Sequence, residues 1–74
     1  MQKEGASLLV SLTDREQEIL KWSARGYTKA DISGRLNLSI HTVDSHIRNS
    51  MRKLDTKNIT SAVVKALNLG LIQI

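Results

Sequence analysis

The chain has no cysteine, no proline and no phenylalanine, and one tryptophan and one tyrosine among its 74 residues. Without cysteine no disulfide can form, which fits a reducing, cytoplasmic setting. A proline-free, leucine-rich composition favours helix throughout. With aromatics nearly absent, the core has to be built from Leu, Ile, Val and Ala. No apolar run approaches the ~20 residues that a membrane span needs. The longest lead-in, Ala6 to Leu12 after Lys3, is short, ends in no small-residue cleavage site and runs into charged residues. It reads as the end of a linker, residues 1–11, with residues 1–8 loosely packed or disordered. Residues 12–74 then form one small domain, which buries only ~60% of the surface its unfolded chain exposes.

Acid is scarce in the second half. Residues 1–44 hold six Lys/Arg against six Asp/Glu, whereas residues 45–74 hold five Lys/Arg against Asp55 alone. The whole net charge of +4 therefore sits on Arg48, Arg52, Lys53, Lys57 and Lys65. Positive charge gathered near one element is the footprint of a polyanion partner, although a solvated basic face would look the same in composition.

The pattern predicts an all-α bundle of four helices, near residues 13–25, 28–36, 39–54 and 60–69, with no repeats. Thr13 and Glu16 form a capping box, with Leu12 stapling from outside the cap. Ile19, Leu20 and Ser23 face inward, and Gly26 ends the first helix as a left-handed residue. Thr28 opens the second helix, with Asp31 as a weaker box partner and Ile32, Ser33 and Leu36 on its inner face. Asn37 suits a left-handed turn, Leu38 plugs it, and Ser39 caps the third helix. Asn58 or Thr60 caps the fourth, which ends at Gly70. There Ala62, Val63, Val64, Ala66, Leu67 and Leu69 spread beyond one stripe, which leaves apolar surface for a partner.

The third helix is the most telling. Its apolar stripe is Ile40, Val43, Ile47, Met51 and Leu54, at steps of three and four. The opposite face carries His41, Ser45, Arg48 and Arg52, flanked by Asp44 and Asn49. Such a face can hydrogen-bond to base edges and phosphates in a major groove. Helices two and three with their short turn make a helix-turn-helix. Enzymatic readings fail on geometry. Asp44, Ser45 and His46 are triad residue types, but consecutive helical positions point apart. His41 and His46 are five apart, off the spacing of a helical metal site, so neither a metal nor a cofactor is expected. His46 reads as a half-buried packing residue, and Trp22 as partial core.

These residues resemble the LuxR-type helix-turn-helix DNA-binding domain. The resemblance rests on Leu12-Thr13-x-Arg15-Glu16-x-Glu18-Ile19-Leu20, Ala24-x-Gly26-x-Thr28, Ile32-Ser33-x-x-Leu36 and Leu38-Ser39-x-x-Thr42-Val43-x-x-His46-Ile47. Lys53-Leu54, Asn58 and Ala62-Val63 complete it, over about residues 12–72. Trp22, Thr28, Asn49 and the Leu69 to Ile72 ending look most like the quorum-sensing branch. There the domain is an output module behind an acyl-homoserine-lactone-binding domain; sister branches join it to phospho-receiver domains or use it alone. By position, the resemblance implies base contacts from Asp44, Ser45 and Arg48. It implies phosphate contacts from Thr28, Ser39, Thr42, Asn49, Arg52 and Lys53. Two positions depart from the family pattern. Asp44 stands where a basic or neutral polar residue is common, and an acid there could accept from cytosine N4. Ile59 stands where arginine usually follows Asn58.

The expected function is sequence-specific binding of double-stranded DNA at a two-fold symmetric site. It would use a homodimer built on Val63, Val64 and Leu67, in a bacterial transcriptional regulator whose sensing domain precedes this one. The competing reading is a small protein-interaction module docking through helix four. Salt dependence of duplex binding separates the two.

Overall fold

A computed structural model describes residues 10–73. They form four helices: α1 (Asp14–Ala24), α2 (Lys29–Leu36), α3 (Ile40–Leu54) and α4 (Ile59–Asn68), with no strand among the described residues. The expectations for residues 1–8 lie outside the described residues.

Local chemistry sets the starts. Thr13 and Thr28 each accept from the third backbone N–H of their helix, while Glu16 and Asp31 reach back to the cap N–H. Both are complete capping boxes. Ser39 Oγ accepts from Thr42 N, and Asn58 Oδ1 accepts from Ser61 N, so Asn58 rather than Thr60 caps α4. The stops share one device. After each helix comes one left-handed residue: Gly26 (φ 96°), Asn37 (φ 57°), Asp55 (φ 56°) and Gly70 (φ 73°). The next residue then donates its N–H five residues back, as in Tyr27 to Trp22, Leu38 to Ser33, Thr56 to Met51 and Leu71 to Ala66. These are Schellman closures, which satisfy carbonyls a helix end would otherwise orphan.

Helices α1 and α3 each touch every other helix, whereas α2 and α4 do not touch each other. The core accordingly divides in two. Ile19, Ile32, Val43 and Ile47 join α1, α2 and the first half of α3. Leu12, Leu20, Leu54, Ala62, Ala66 and Ile72 join α1, the end of α3 and α4. Met51 and Ile59 pack against both clusters. Ile59 therefore contributes packing. Ala62 and Ala66 are fully buried at i, i+4, so their small side chains bring α4 close to the bundle. Each fully buried Ile or Leu contributes about 1.5–3 kcal/mol, which a domain this small cannot spare.

One residue of α3 sits differently from what its period predicts. Ile40 belongs by spacing to the buried stripe but is 52% exposed and packs with neither cluster. It is the first residue of α3, and the apolar cover from α1 and α2 closes over Val43 and Ile47 instead. Ser50 lies on the inward face between Ile47 and Leu54 and is buried although polar, with its hydroxyl donating to the His46 carbonyl at 2.8 Å. That bond within the helix makes the burial of a polar side chain tolerable.

Candidate nucleic-acid interface

With Val43, Ile47 and Leu54 buried, helical geometry sends the opposite side of α3 outward. His41, Ser45, Arg48 and Arg52 are all exposed there, and Thr42, Asp44 and Asn49 are partly so. Thr28 and Ser39 are the exposed N-caps of α2 and α3, and the turn at residues 37–39 leads from α2 into α3. Ser39 Oγ also donates to Thr42 Oγ1 at 2.9 Å, which ties two hydroxyls together at the start of α3. The turn is rigid. Asn37 takes the left-handed conformation, its N–H and that of Leu38 both reach Ser33 O, and Leu38 packs into the α1/α2/α3 core. A helix fixed at its base, with a polar outer face, has the shape and chemistry that a major groove accepts.

Ion pairs connect this face to the rest of the fold. Asp44 Oδ1 accepts from Lys29 Nζ at 2.5 Å, and Asp44 Oδ2 lies 2.8 Å from Arg48 Nε. The Lys29 hydrogen bond and the Arg48 charge hold the Asp44 carboxyl below the ordinary aspartate range. Sequence reasoning misses Lys29, because its partner lies 15 positions away, beyond any local pattern.

Lys53 occupies a different place from the other expected phosphate contacts. Its ammonium lies 2.8 Å from Oε1 of Glu16, whose side chain is only 3% exposed. Burial pushes the Glu16 carboxyl up, but the Lys53 hydrogen bond, the Thr13 backbone N–H and the Lys53 charge outweigh it, so the carboxyl titrates low. Glu16 therefore serves two purposes, closing the α1 capping box and anchoring the end of α3. Arg52 makes no ion pair among the described residues.

Trp22 is partly buried against the α1/α2/α3 core and meets Tyr27 edge-to-face, with ring centroids 4.9 Å apart. The Arg35 guanidinium lies 4.9 Å from the Trp22 ring and 4.4 Å from the Tyr27 ring, covering both. These contacts clamp α2 on α1 and account for both aromatics as structural.

On α4, Val63 and Leu67 are partly buried and pack against the core, whereas Val64 is 50% exposed. Val64 borders a shallow depression of about 380 Å³ shared with Val63, Ile59, Tyr27 and Ile47. No group of three or more potential metal-ligating side chains occurs among the described residues. No helix among them is long and apolar enough to cross a membrane.

Known proteins share this arrangement. The model of the luxR family of bacterial regulatory proteins (GerE) matches residues 10–66. The quorum sensing-dependent transcriptional regulator RpaR of Rhodopseudomonas palustris is 51% identical over 63 residues, covering 85% of this chain and 26% of RpaR. The response regulator VraR of Staphylococcus aureus is 39% identical over 71 residues, covering 96% of this chain and 34% of VraR. Among solved structures, the transcription factor GerE superimposes with a TM-score of 0.80 at 39% identity, over 84% of this chain and 92% of GerE. The chain thus spans about a fifth to a third of the length of the curated relatives it matches.

Proposed function

The chain belongs to the LuxR family of bacterial regulatory proteins, and from that premise we propose that it binds double-stranded DNA with α3 in the major groove. Its relatives are transcriptional regulators, and the fold is the helix-turn-helix type that such regulators share. One observation carries the reading: the exposed side of α3 holds Ser45, Arg48 and Arg52, while the opposite side is locked into the core. Ser45 and Arg48 face the bases. Thr28, Ser39, Thr42, Asn49 and Arg52 contact phosphates. Lys53 is left out of that set because Glu16 occupies its ammonium.

One short helix reads too few base pairs for useful selectivity, so two copies bind a two-fold symmetric site. Val64, exposed on α4 beside the core-packed Val63 and Leu67, supplies the contact between copies. The higher identity to RpaR than to VraR supports a quorum-sensing regulator, in which a signal-binding domain precedes this module.

Fluorescence anisotropy on a labelled duplex at a series of salt concentrations tests the proposal. The cations on and around α3 make the affinity fall as salt rises. A flat profile would replace this reading with a protein-interaction module that docks through α4.

A further inference from the structure

The resemblance assigns Asp44 to base contact, yet both of its carboxylate oxygens are already engaged. Oδ1 accepts from Lys29 Nζ at 2.5 Å, and Oδ2 faces Arg48 Nε at 2.8 Å. The Asp44 side chain is 24% exposed, whereas that of Arg48 is 74% exposed. The acid is thus tucked between two cations, and the guanidinium beyond it projects outward. The contact is made through Nε. A guanidinium carries five N–H donors in a rigid plane, so a partner on Nε leaves terminal donors on Nη1 and Nη2. A fork of two such donors matches O6 and N7 of guanine in the major groove.

We propose that Asp44 is a positioning residue: it grips Arg48 by Nε and presents the guanidinium's terminal fork to a guanine, while Lys29 neutralises the carboxylate. This rests on the reading that α3 enters the major groove. Three consequences follow from the geometry. Arg48 loses less side-chain freedom on binding, because part of its ordering exists before DNA arrives. The carboxylate can lie beside a polyanion because the trio carries a net charge of +1. Lys29, the first residue of α2 and the neighbour of Thr28, becomes a specificity determinant without touching a base.

In vitro selection from a randomised duplex library tests this with the 74-residue chain and its Arg48→Ala, Asp44→Ala and doubly substituted forms, each checked for helicity by circular dichroism. Alanine is a good helix former, so the substitutions suit α3. Arg48→Ala erases a guanine preference at one position per half-site. Asp44→Ala weakens that same preference roughly three- to ten-fold, part of what a bidentate arginine–guanine pair supplies, and changes no other position. In the double variant the loss of Asp44 adds nothing. A preference altered at a different base pair, or a further change in the Arg48→Ala background, overturns the proposal and makes Asp44 a direct reader. Unchanged guanine preference in Asp44→Ala overturns it equally. If Arg48→Ala selects the same sequences as the parent, the underlying reading of α3 fails, and that outcome is visible without any Asp44 variant. A DNA-free readout stands beside these: the Arg48 Nε–H resonance exchanges slowly in the parent and fast in Asp44→Ala, and equal exchange in both refutes the grip. Should Asp44→Ala lose helicity, Asp44→Leu, which likewise lacks an acceptor, takes its place, and the same results support or overturn the proposal.

Discussion

Replacing Lys53 by Met removes one ammonium, keeps most of the apolar stem, and isolates the contact that ties the end of α3 to the start of α1. The Glu16 side chain is 3% exposed, and the same Oε1 that meets Lys53 at 2.8 Å also accepts the Thr13 N–H at 2.9 Å. Without Lys53, a covered carboxylate keeps only its capping bond. Removing one partner of a fully buried pair costs about 3–5 kcal/mol. Lys53 is itself a third exposed, so water softens the loss, and we expect about 1.5–3 kcal/mol at neutral pH. In a domain of this size that lowers Tm by about 6–24 °C. The penalty also has a pH signature. In the parent, the depressed Glu16 pKa contributes stability that is fully present above the unfolded value of about 4.3 and lost as pH falls through the lower folded value. In Lys53→Met, burial raises the carboxyl with only the Thr13 bonds opposing it. Protonation then relieves the unpaired charge, so the gap between the two proteins is widest near pH 7 and closes towards pH 3. Thermal unfolding followed by circular dichroism at both pH values measures it. Equal stability at pH 7, or a gap of the same size at pH 3, would refute a stabilising ion pair. The same variant should leave the salt slope of duplex binding unchanged, whereas a slope flatter by about two units, one per copy, would return Lys53 to the phosphate contacts.

Val64→Asp should keep the fold, because Val64 is half exposed, but abolish cooperative binding to a duplex with two half-sites. Leu67→Asp should unfold the domain, because Leu67 packs on the core. Circular dichroism together with anisotropy on one-site and two-site duplexes separates the two roles, and full cooperativity in a folded Val64→Asp protein would remove α4 as the contact between copies. Asp55→Gly should stabilise the chain by about 0.5–1 kcal/mol in urea unfolding. It relieves a left-handed non-glycine residue and removes an acid from the negative end of α3. A loss of stability would mean that the Asp55 side chain makes a compensating contact.

Most of the fold is legible in the sequence because its signals are local. Thr13 with Glu16, Thr28 with Asp31, and the left-handed Gly26 and Asn37 lie within three or four residues of the ends they define. The polar face of α3 is equally legible, since helical period alone places Ser45 and Arg52 opposite Ile47 and Val43. What escapes depends on tertiary distance. Lys53 is 37 residues from Glu16, and Lys29 is 15 from Asp44, so composition and periodicity register these charges but do not pair them. Ile40 shows the other limit: a stripe gives the direction of a side chain, not whether another helix extends far enough to cover it. Asp55 carries no signal because an aspartate is compatible with several turn conformations, and only the closure from Thr56 to Met51 fixes the left-handed one.

DNA binding through the polar face of α3 leaves a residue-by-residue imprint on the backbone amides. Titrating a selected duplex into the ¹⁵N-labelled chain, and following those resonances, reads it out. The largest shifts are expected at Thr28, Lys29, Ser39 and along the exposed side of α3 from His41 to Arg52, with the outer face of α1 around Arg15 and Glu18 unmoved. Shifts centred on Val64 and the rest of α4, with α3 unchanged, would contradict major-groove entry by α3.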